Sequence, residues 1–136
     1  MRYLVDTSAL VRILRRQVDP LWYDLVDRGL ISVCMPVLLE TLCIADAKGY
    51  VELELDVHNA CLAVAVPDGA WELAAVIHRE LASHSAHQGL SVTDLLVAAT
   101  AIRLKLEVLH EDADFETVAR FVPELRQRRI STAPEL

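Results

Sequence analysis

The stretch Tyr3–Leu10, YLVDTSAL, passes from a run of apolar residues through an acidic residue into a helical pattern. Residues 2–6 have the length and composition of a short buried strand. From Ser8 to about Arg16 apolar residues recur at helical spacing, with Thr7 or Ser8 available as the N-cap. Asp6 therefore lies where a strand becomes a helix. In an α/β sheet this position faces the crevice at the carboxyl ends of the strands, where such sheets bind their ligands.

The rest of the chain alternates between helical and strand patterns, which predicts a parallel sheet flanked by helices. Further strands are predicted at 31–35, 107–110 and 129–131, and further helices at 21–28, 36–49, 70–83, 91–105 and 115–122. Residues 50–66 fit either a helix from Tyr50 to Leu62 followed by a short strand, or an alternating strand, and we favour the helix. With 136 residues and no linker or repeat, the whole chain, 1–136, is predicted to be one α/β domain.

Composition and charge exclude several classes of protein. The chain is 54% hydrophobic, so disorder is not expected, and no apolar run approaches the roughly 20 residues of a membrane span. A net charge of −7 argues against a simple basic nucleic-acid binder, although a nuclease whose acids hold a metal stays compatible with it. The absence of a signal-peptide pattern predicts a cytoplasmic protein.

Two further expectations come from the apolar residues. The three cysteines lie in apolar contexts without metal-type spacing and are predicted to be reduced core residues. The hydrophobic content is more than a core of this size hides, which predicts a homodimer. The segment Leu10–Leu14 and the helix Ala70–Leu81 are the candidate interfaces.

Acidic residues stand in the same relation to four apolar elements. These residues are Asp6, Glu40, Asp94 and Asp112, with Asp114 close to the last of them. In a helix over 37–48, Glu40 would lie on the apolar face, where a carboxylate needs a partner. Clustered carboxylates repel one another and resist desolvation, so a hard divalent cation is their natural occupant.

Each acid also has a structural explanation. Asp6 could cap a helix, Ser91 and Asp94 have the spacing of a capping box, and Asp112 and Asp114 could cap the next helix or form a turn. Four acids in the same relation to strand ends nevertheless favour a common site. His110 is predicted to end a strand rather than to bind metal.

Four motifs in order, spread over nearly the whole chain, resemble those of the PIN-domain ribonucleases, and in particular the VapC-type toxins of prokaryotic toxin–antitoxin pairs. The motifs are Val5–Leu10, Pro36–Glu40, Leu90–Ala101 and Leu109–Phe115. The resemblance implies an endoribonuclease that depends on Mg²⁺ or Mn²⁺ and has a small parallel sheet between helices. It also implies a homodimer, inhibition by a co-expressed antitoxin, and cleavage of structured RNA such as tRNA or rRNA.

The same resemblance assigns roles to individual residues. The residues that match the family's acidic quartet are Asp6, Glu40, Asp94 and Asp112. Asp114 matches a further acid beside the site, and Thr7 or Ser8 matches a hydroxyl that forms hydrogen bonds within it. On physical grounds Mg²⁺ would neutralise the phosphate and activate water, and the cations that contact the phosphates would come from Arg12, Arg15 or Arg16.

Three other hypotheses compete with a toxin. A phosphotransferase or phosphatase could use Asp6 as a covalent nucleophile, but that chemistry wants a second acid two residues later, where Ser8 stands. A PIN-like nuclease could process RNA outside a toxin–antitoxin pair. An acidic interaction module, in which the carboxylates are caps and surface charge, predicts no effect of metal on stability.

Overall fold

Five short strands form one parallel sheet in the computed structural model of the chain, which describes residues 2–135. The strands are β1 Tyr3–Val5, β2 Ile31–Cys34, β3 Leu62–Val64, β4 Glu107–His110 and β5 Gln127–Arg129. The helices are α1 Thr7–Leu14, α2 Leu21–Asp27, α3 Met35–Leu42, α4 Tyr50–Ala60, α5 Ala70–Ala82, α6 Val92–Leu104 and α7 Ala113–Phe121. The prediction of an α/β fold with a small parallel sheet flanked by helices is confirmed.

The strand order, β3-β2-β1-β4-β5, places the first strand at the centre. The chain builds outward from β1 through β2 to β3, and then returns to the other side of β1 to add β4 and β5. All neighbouring pairs are parallel, so every strand ends at the same edge of the sheet. The direction of growth reverses between β1 and β4, which makes this pair the switch point of the sheet.

The central strands and helix α6 form the middle of the core. Leu4, Val5, Val108 and Leu109 are fully buried, as expected for strands that are covered on both faces. Helix α6 is buried from Leu95 to Ala101, so it is apolar on nearly all sides instead of carrying one apolar stripe. This burial holds the first turn of α6 in a defined position relative to the sheet.

The bounds of most predicted elements differ from the structure by one or two residues, and those of helix α3 differ by more. Helix α3 ends at Leu42 and does not continue toward Gly49, because the chain tightens into turns in which Ile44 N–H donates to the Thr41 carbonyl and Ala45 N–H to the Leu42 carbonyl. The last strand is Gln127–Arg129 rather than 129–131, since Gln127 pairs with Val108 of β4. In the ambiguous region, the helix and the short strand are both present.

Some expectations about apolar residues are also corrected. Cys34 and Cys61 are buried, and burial raises the pKa of the Cys61 thiol to about 12, but Cys43 is exposed just beyond α3, so its prediction as a core residue was wrong. Leu10 and Ile13 belong to the core, so they cannot supply a free interface. No helix within residues 2–135 has the length and apolar character needed to cross a membrane.

Candidate metal centre

The switch point of the sheet carries two of the predicted acids. Asp6 directly follows β1, and Asp112 lies two residues beyond the end of β4. The two strands are neighbours in register, with Val5 opposite Leu109, and Asp6 N–H donates to the Leu109 carbonyl at 3.1 Å. Parallel pairing therefore brings together two side chains that are more than 100 residues apart in the sequence.

Both of these acids cap a helix. Asp6 is the N-cap of α1, in place of the predicted Thr7 or Ser8, and its Oδ1 accepts the Ala9 N–H at 2.9 Å. Asp112 is the N-cap of α7, and its Oδ1 accepts the Asp114 N–H at 2.9 Å. The capping explanation is therefore correct for both residues, and it is compatible with a common site, because the hydrogen bonds that cap the helices also orient the carboxylates.

Helix α6 brings the third acid. Ser91 is its N-cap, and the Ser91 hydroxyl accepts the Asp94 N–H at 3.0 Å, as the capping-box spacing predicts. Asp94, in the first turn, joins Asp6 and Asp112 in a group whose ligand oxygens all lie within 4.8 Å of one another. The first turns of three helices therefore converge, and their dipoles favour negative charge at this point.

Burial and mutual repulsion raise the affinity of Asp6 and Asp94 for protons. The pKa of Asp6 is raised to about 6, mainly by burial and in part by the charges of Asp94 and Asp112, while hydrogen bonds from Ala9 and Ser8 lower it. Burial also raises the pKa of Asp94, again with a contribution from the charge of Asp112. An ionised cluster of this kind is stabilised by a divalent cation, which removes both penalties at once.

The spacing of the oxygens fits such a cation. Oxygen ligands bind Mg²⁺ at about 2.1 Å, so two ligands on opposite sides of the ion are about 4.2 Å apart. The three aspartates, whose oxygens lie within 4.8 Å of one another, can reach one ion with small adjustments of their side chains. Three carboxylates are also a chemically suitable donor set for Mg²⁺, which usually keeps several water ligands.

The hydroxyl of Ser8 connects two sides of the site. It lies 2.8 Å from both carboxylate oxygens of Asp6, and it accepts the backbone N–H of Glu111 at 2.9 Å. Because the Glu111 N–H occupies a lone pair of this oxygen, the hydroxyl proton is left to donate to Asp6. The loop between β4 and α7 is thereby tied to the first turn of α1.

Glu40 is placed differently from its prediction. It is exposed near the end of α3, not on the apolar face, because the core face is formed by Val37, Leu38, Thr41 and Leu42. Its Oε1 accepts the hydroxyl of Thr7, the residue after Asp6, at 2.5 Å. The predicted burial of Glu40 was therefore wrong. Glu40 is not a member of the three-aspartate group, but its hydrogen bond with Thr7 links it to the residue next to Asp6.

The remaining predicted residues lie outside the three-aspartate group. Asp114 follows in the first turn of α7, where burial and the charge of Asp112 raise its pKa. Arg12 is half-buried, and its Nη1 donates to the Ser8 carbonyl at 2.9 Å, one helical turn from the site. Arg15 and Arg16 are exposed beyond the end of α1, about 12 Å or more along the helix axis from Thr7.

Sequence patterns did not reveal the side chains that support the β4–α7 loop. Arg129 Nη1 donates to Glu111 at 3.0 Å, and Arg129 also donates two hydrogen bonds to Glu116. His110, predicted only as the end of a strand, is fully buried and lies between the Asp112 backbone and Gln127. Gln127 and Arg129 lie on a strand far along the chain, and no local motif signals their contacts.

Comparison with known proteins agrees with this architecture. The family model described as "PIN domain" matches residues 3–121. Ribonuclease VapC2 of Mycobacterium tuberculosis is 30% identical over 139 residues, an alignment that covers 98% of this chain and 96% of that protein.

Solved structures share the fold. VapBC-1 from nontypeable Haemophilus influenzae has a TM-score of 0.77 at 10% identity, and covers 97% of this chain and 100% of its own. VapBC-5 from M. tuberculosis, a member of the VapBC family of toxin–antitoxin systems, has a TM-score of 0.67 at 19% identity, with 95% and 98% covered. The prediction of an endoribonuclease of the VapC type is confirmed, and the chain belongs to the PIN-domain family of ribonucleases.

Proposed function

We propose that this chain is a divalent-metal-dependent endoribonuclease toxin that cleaves cellular RNA and is neutralised by a cognate antitoxin. The observation that carries the proposal is the convergence of three buried or half-buried aspartates at the switch point of the sheet. Its relative VapC2, with which it aligns over nearly the full length of both chains, is named a ribonuclease. Carboxylates at this place in the fold suit metal-assisted hydrolysis of a phosphodiester.

Asp6, Asp94 and Asp112 would hold the ion, for which we propose Mg²⁺, with Mn²⁺ as a substitute. When bound, the ion would neutralise charge on the scissile phosphate and lower the pKa of a water molecule. Ser8 orients the carboxylate of Asp6, and Ser91 holds the first turn that carries Asp94. These contacts preorganise the acids before the substrate arrives.

Glu40 and Asp114 extend the negative site. The hydroxyl of Thr7, the residue after Asp6, donates to the carboxylate of Glu40. We propose that Glu40 orients or deprotonates the attacking water. Asp114, in the first turn of the helix that Asp112 caps, would support the same ion directly or through water.

The RNA would approach a group of acidic side chains, so cations near this group have to hold the phosphates. Arg12 is the best placed of the three predicted arginines, because it lies one turn from Ser8 on the helix that starts at Asp6. Arg15 and Arg16 would contact phosphates farther from the cleavage point. Structured RNA, such as tRNA or rRNA, is the proposed substrate class.

An active cytoplasmic ribonuclease requires control, and we propose a separate antitoxin chain. Solved structures that share the fold, such as VapBC-5, belong to toxin–antitoxin systems. We propose that the antitoxin inserts an Arg or Lys among Asp6, Asp94 and Asp112, where a planar guanidinium suits paired carboxylates, and that it competes with Mg²⁺.

The nuclease test compares total RNA incubated with the purified protein plus Mg²⁺ and plus EDTA, followed by mapping of the new RNA ends. Cleavage should need Mg²⁺ and should fall by at least about 100-fold in Asp94→Asn, as expected when charge stabilisation worth about 2.7 kcal/mol is lost. Asp24→Asn, an exposed change on α2, is the matched control and should cleave normally. Cleavage at the wild-type rate by Asp94→Asn would reject the assignment.

The antitoxin test uses the complex with the protein encoded by the neighbouring gene. Its cleavage should be low and should recover as Mg²⁺ is titrated in. A bound partner that leaves metal affinity and cleavage unchanged would reject occlusion of the metal centre, even where the nuclease assignment survives.

A further inference from the structure

His110 has defined partners at both ring nitrogens. It is fully buried at the end of β4. Asp112 N–H donates to its Nδ1 at 3.0 Å, and its Nε2 lies 2.6 Å from Oε1 of Gln127. A backbone N–H can only donate, so Nδ1 carries no proton. The proton is therefore on Nε2 and is donated to Gln127, and the two contacts together specify one tautomer.

The ring is also held in place by packing and by the sheet. The Phe115 ring of α7 is 5.2 Å from the His110 ring, centroid to centroid, and both side chains are fully buried. Gln127 lies on β5, whose backbone is fixed because Val108 N–H donates to the Arg126 carbonyl and Ile130 N–H donates to the His110 carbonyl. The position of the imidazole is therefore set by an edge strand of the sheet.

Both ring nitrogens of His110 form hydrogen bonds with protein atoms, and the one at Nδ1 fixes the backbone of Asp112. The Asp112 N–H is held by His110, and its Oδ1 is held by the Asp114 N–H at 2.9 Å. An apolar side chain in place of His110 would leave the Asp112 N–H and the Gln127 amide oxygen without these partners. Asp112 would then lose the hydrogen bond that fixes its backbone where the loop leaves β4.

We propose that His110, oriented by Gln127, is a positioning residue that presents the Asp112 carboxylate to the metal centre. The inference rests on the proposed function and adds β5 to the apparatus of the site. Mutation of a residue that forms a hydrogen bond with a metal ligand typically lowers metal affinity or activity by about 10- to 100-fold. A carboxylate cluster whose members must meet within a few ångströms depends on that support.

The test measures the dissociation constant of Mn²⁺ by calorimetry on metal-free protein. His110→Leu should weaken Mn²⁺ binding by about 10- to 100-fold. His110→Asn keeps an oxygen close to the position of Nδ1 and should recover most of the affinity. Gln127→Leu, which removes the acceptor for Nε2 but keeps the imidazole, should give an intermediate loss. Hydrogen exchange at the Asp112 amide should be faster in His110→Leu and close to wild type in His110→Asn.

Val118→Ala is the matched control, since it removes buried volume from α7 without touching these hydrogen bonds. It should lower the melting temperature and leave Mn²⁺ affinity within about twofold. The positioning role is overturned if His110→Leu binds Mn²⁺ like wild type, if Val118→Ala weakens binding as much, or if His110→Asn is no better than His110→Leu. Should His110→Leu fail to fold, Gln127→Leu and His110→Asn carry the same comparison.

The outcome is separable from that of the proposed function. Wild-type protein that binds no Mn²⁺ would overturn both proposals. Wild type that binds Mn²⁺ and cleaves RNA, together with unimpaired binding by Gln127→Leu and His110→Leu, would overturn only the positioning role.

Discussion

Asp6 and Asp112 each cap the helix that follows one of two neighbouring parallel strands, and their carboxylate oxygens lie within 4.8 Å of each other. The capping hydrogen bonds hold one oxygen of each residue against a helix N-terminus. Helix dipoles offset part of the cost of bringing the two charges together. A bound cation would offset the rest of the repulsion between the two carboxylates.

Metal should therefore stabilise the folded protein. At about 100 times its dissociation constant, Mg²⁺ or Mn²⁺ should raise the free energy of unfolding by about 2.7 kcal/mol. Thermal melts with EDTA and with excess Mg²⁺ measure this difference, and Asp94→Asn should lose most of it. Coincident melts of the wild type would favour the acidic interaction module.

Asp6 should stabilise the metal-free protein more strongly as the pH falls through 6. Burial raises the pKa of Asp6 to about 6 from its ordinary value of 3.8, so the folded state binds more protons than the unfolded state between these values. The shift corresponds to about 3 kcal/mol, present at low pH and lost as the pH rises above 6. Asp94 contributes with the same sign.

The measurement is the difference in free energy of unfolding between wild type and Asp6→Asn, followed from pH 7.5 to pH 4 in EDTA. Asparagine keeps the cap on α1, so the variant isolates the charge. Subtraction also cancels the contributions of carboxylates whose pKa is lowered in the folded protein. Glu111 is one of them, because hydrogen bonds from Ser131 and Arg129 lower its pKa despite its partial burial. A constant difference across this range would contradict the prediction.

Ser8→Ala should impair both the stability and the activity of the protein. It leaves the Glu111 N–H without its acceptor, at a cost of about 1–3 kcal/mol, and it removes the donor to Asp6. Cleavage should fall by about 10- to 100-fold, as expected for loss of a residue that orients a ligand. Ser83→Ala, which removes an exposed hydroxyl bonded to the Glu80 carbonyl, is the control and should be neutral in both assays.

Glu40→Gln should separate charge from structure at the edge of the site. The amide retains an oxygen for the Thr7 hydroxyl, and Glu40 is exposed, so the melting temperature should stay near that of the wild type. RNA cleavage should fall by about 100-fold, the size of a typical acid–base contribution. Glu52→Gln, another exposed change, should cleave normally. Full activity in Glu40→Gln would remove Glu40 from the proposed chemistry.

The outer face of α5 is the remaining candidate interface for a homodimer. Trp71 and Val76 are 61% and 54% exposed, whereas the other candidate, Leu10–Leu14, is partly in the core. Sedimentation at micromolar concentration should give a mass of about twice 15.2 kDa. Trp71→Ser with Val76→Ser should shift the protein to monomer, while Val51→Ser, an exposed change on α4, should not.

Local sequence determined the elements and the identity of the acids. A short apolar run, then Asp6 and a helical pattern, predict a strand and a helix with a carboxylate between them. This works because the periodicity of an element depends only on residues close together in the chain. The Ser91–Asp94 spacing predicted its capping contact for the same reason. The family resemblance rests on the same short motifs.

Tertiary structure alone decided which side chains meet. Helix α3 turns a different face to the core, so Glu40 is exposed and bonded to Thr7, where the helical pattern predicted burial. Gln127 reaches His110 only because β5 pairs with β4, and Glu111 meets Ser8 only because β4 pairs with β1. Hydrogen bonds between distant segments depend on strand order and register, and these follow from how the whole core packs, not from any single stretch of sequence.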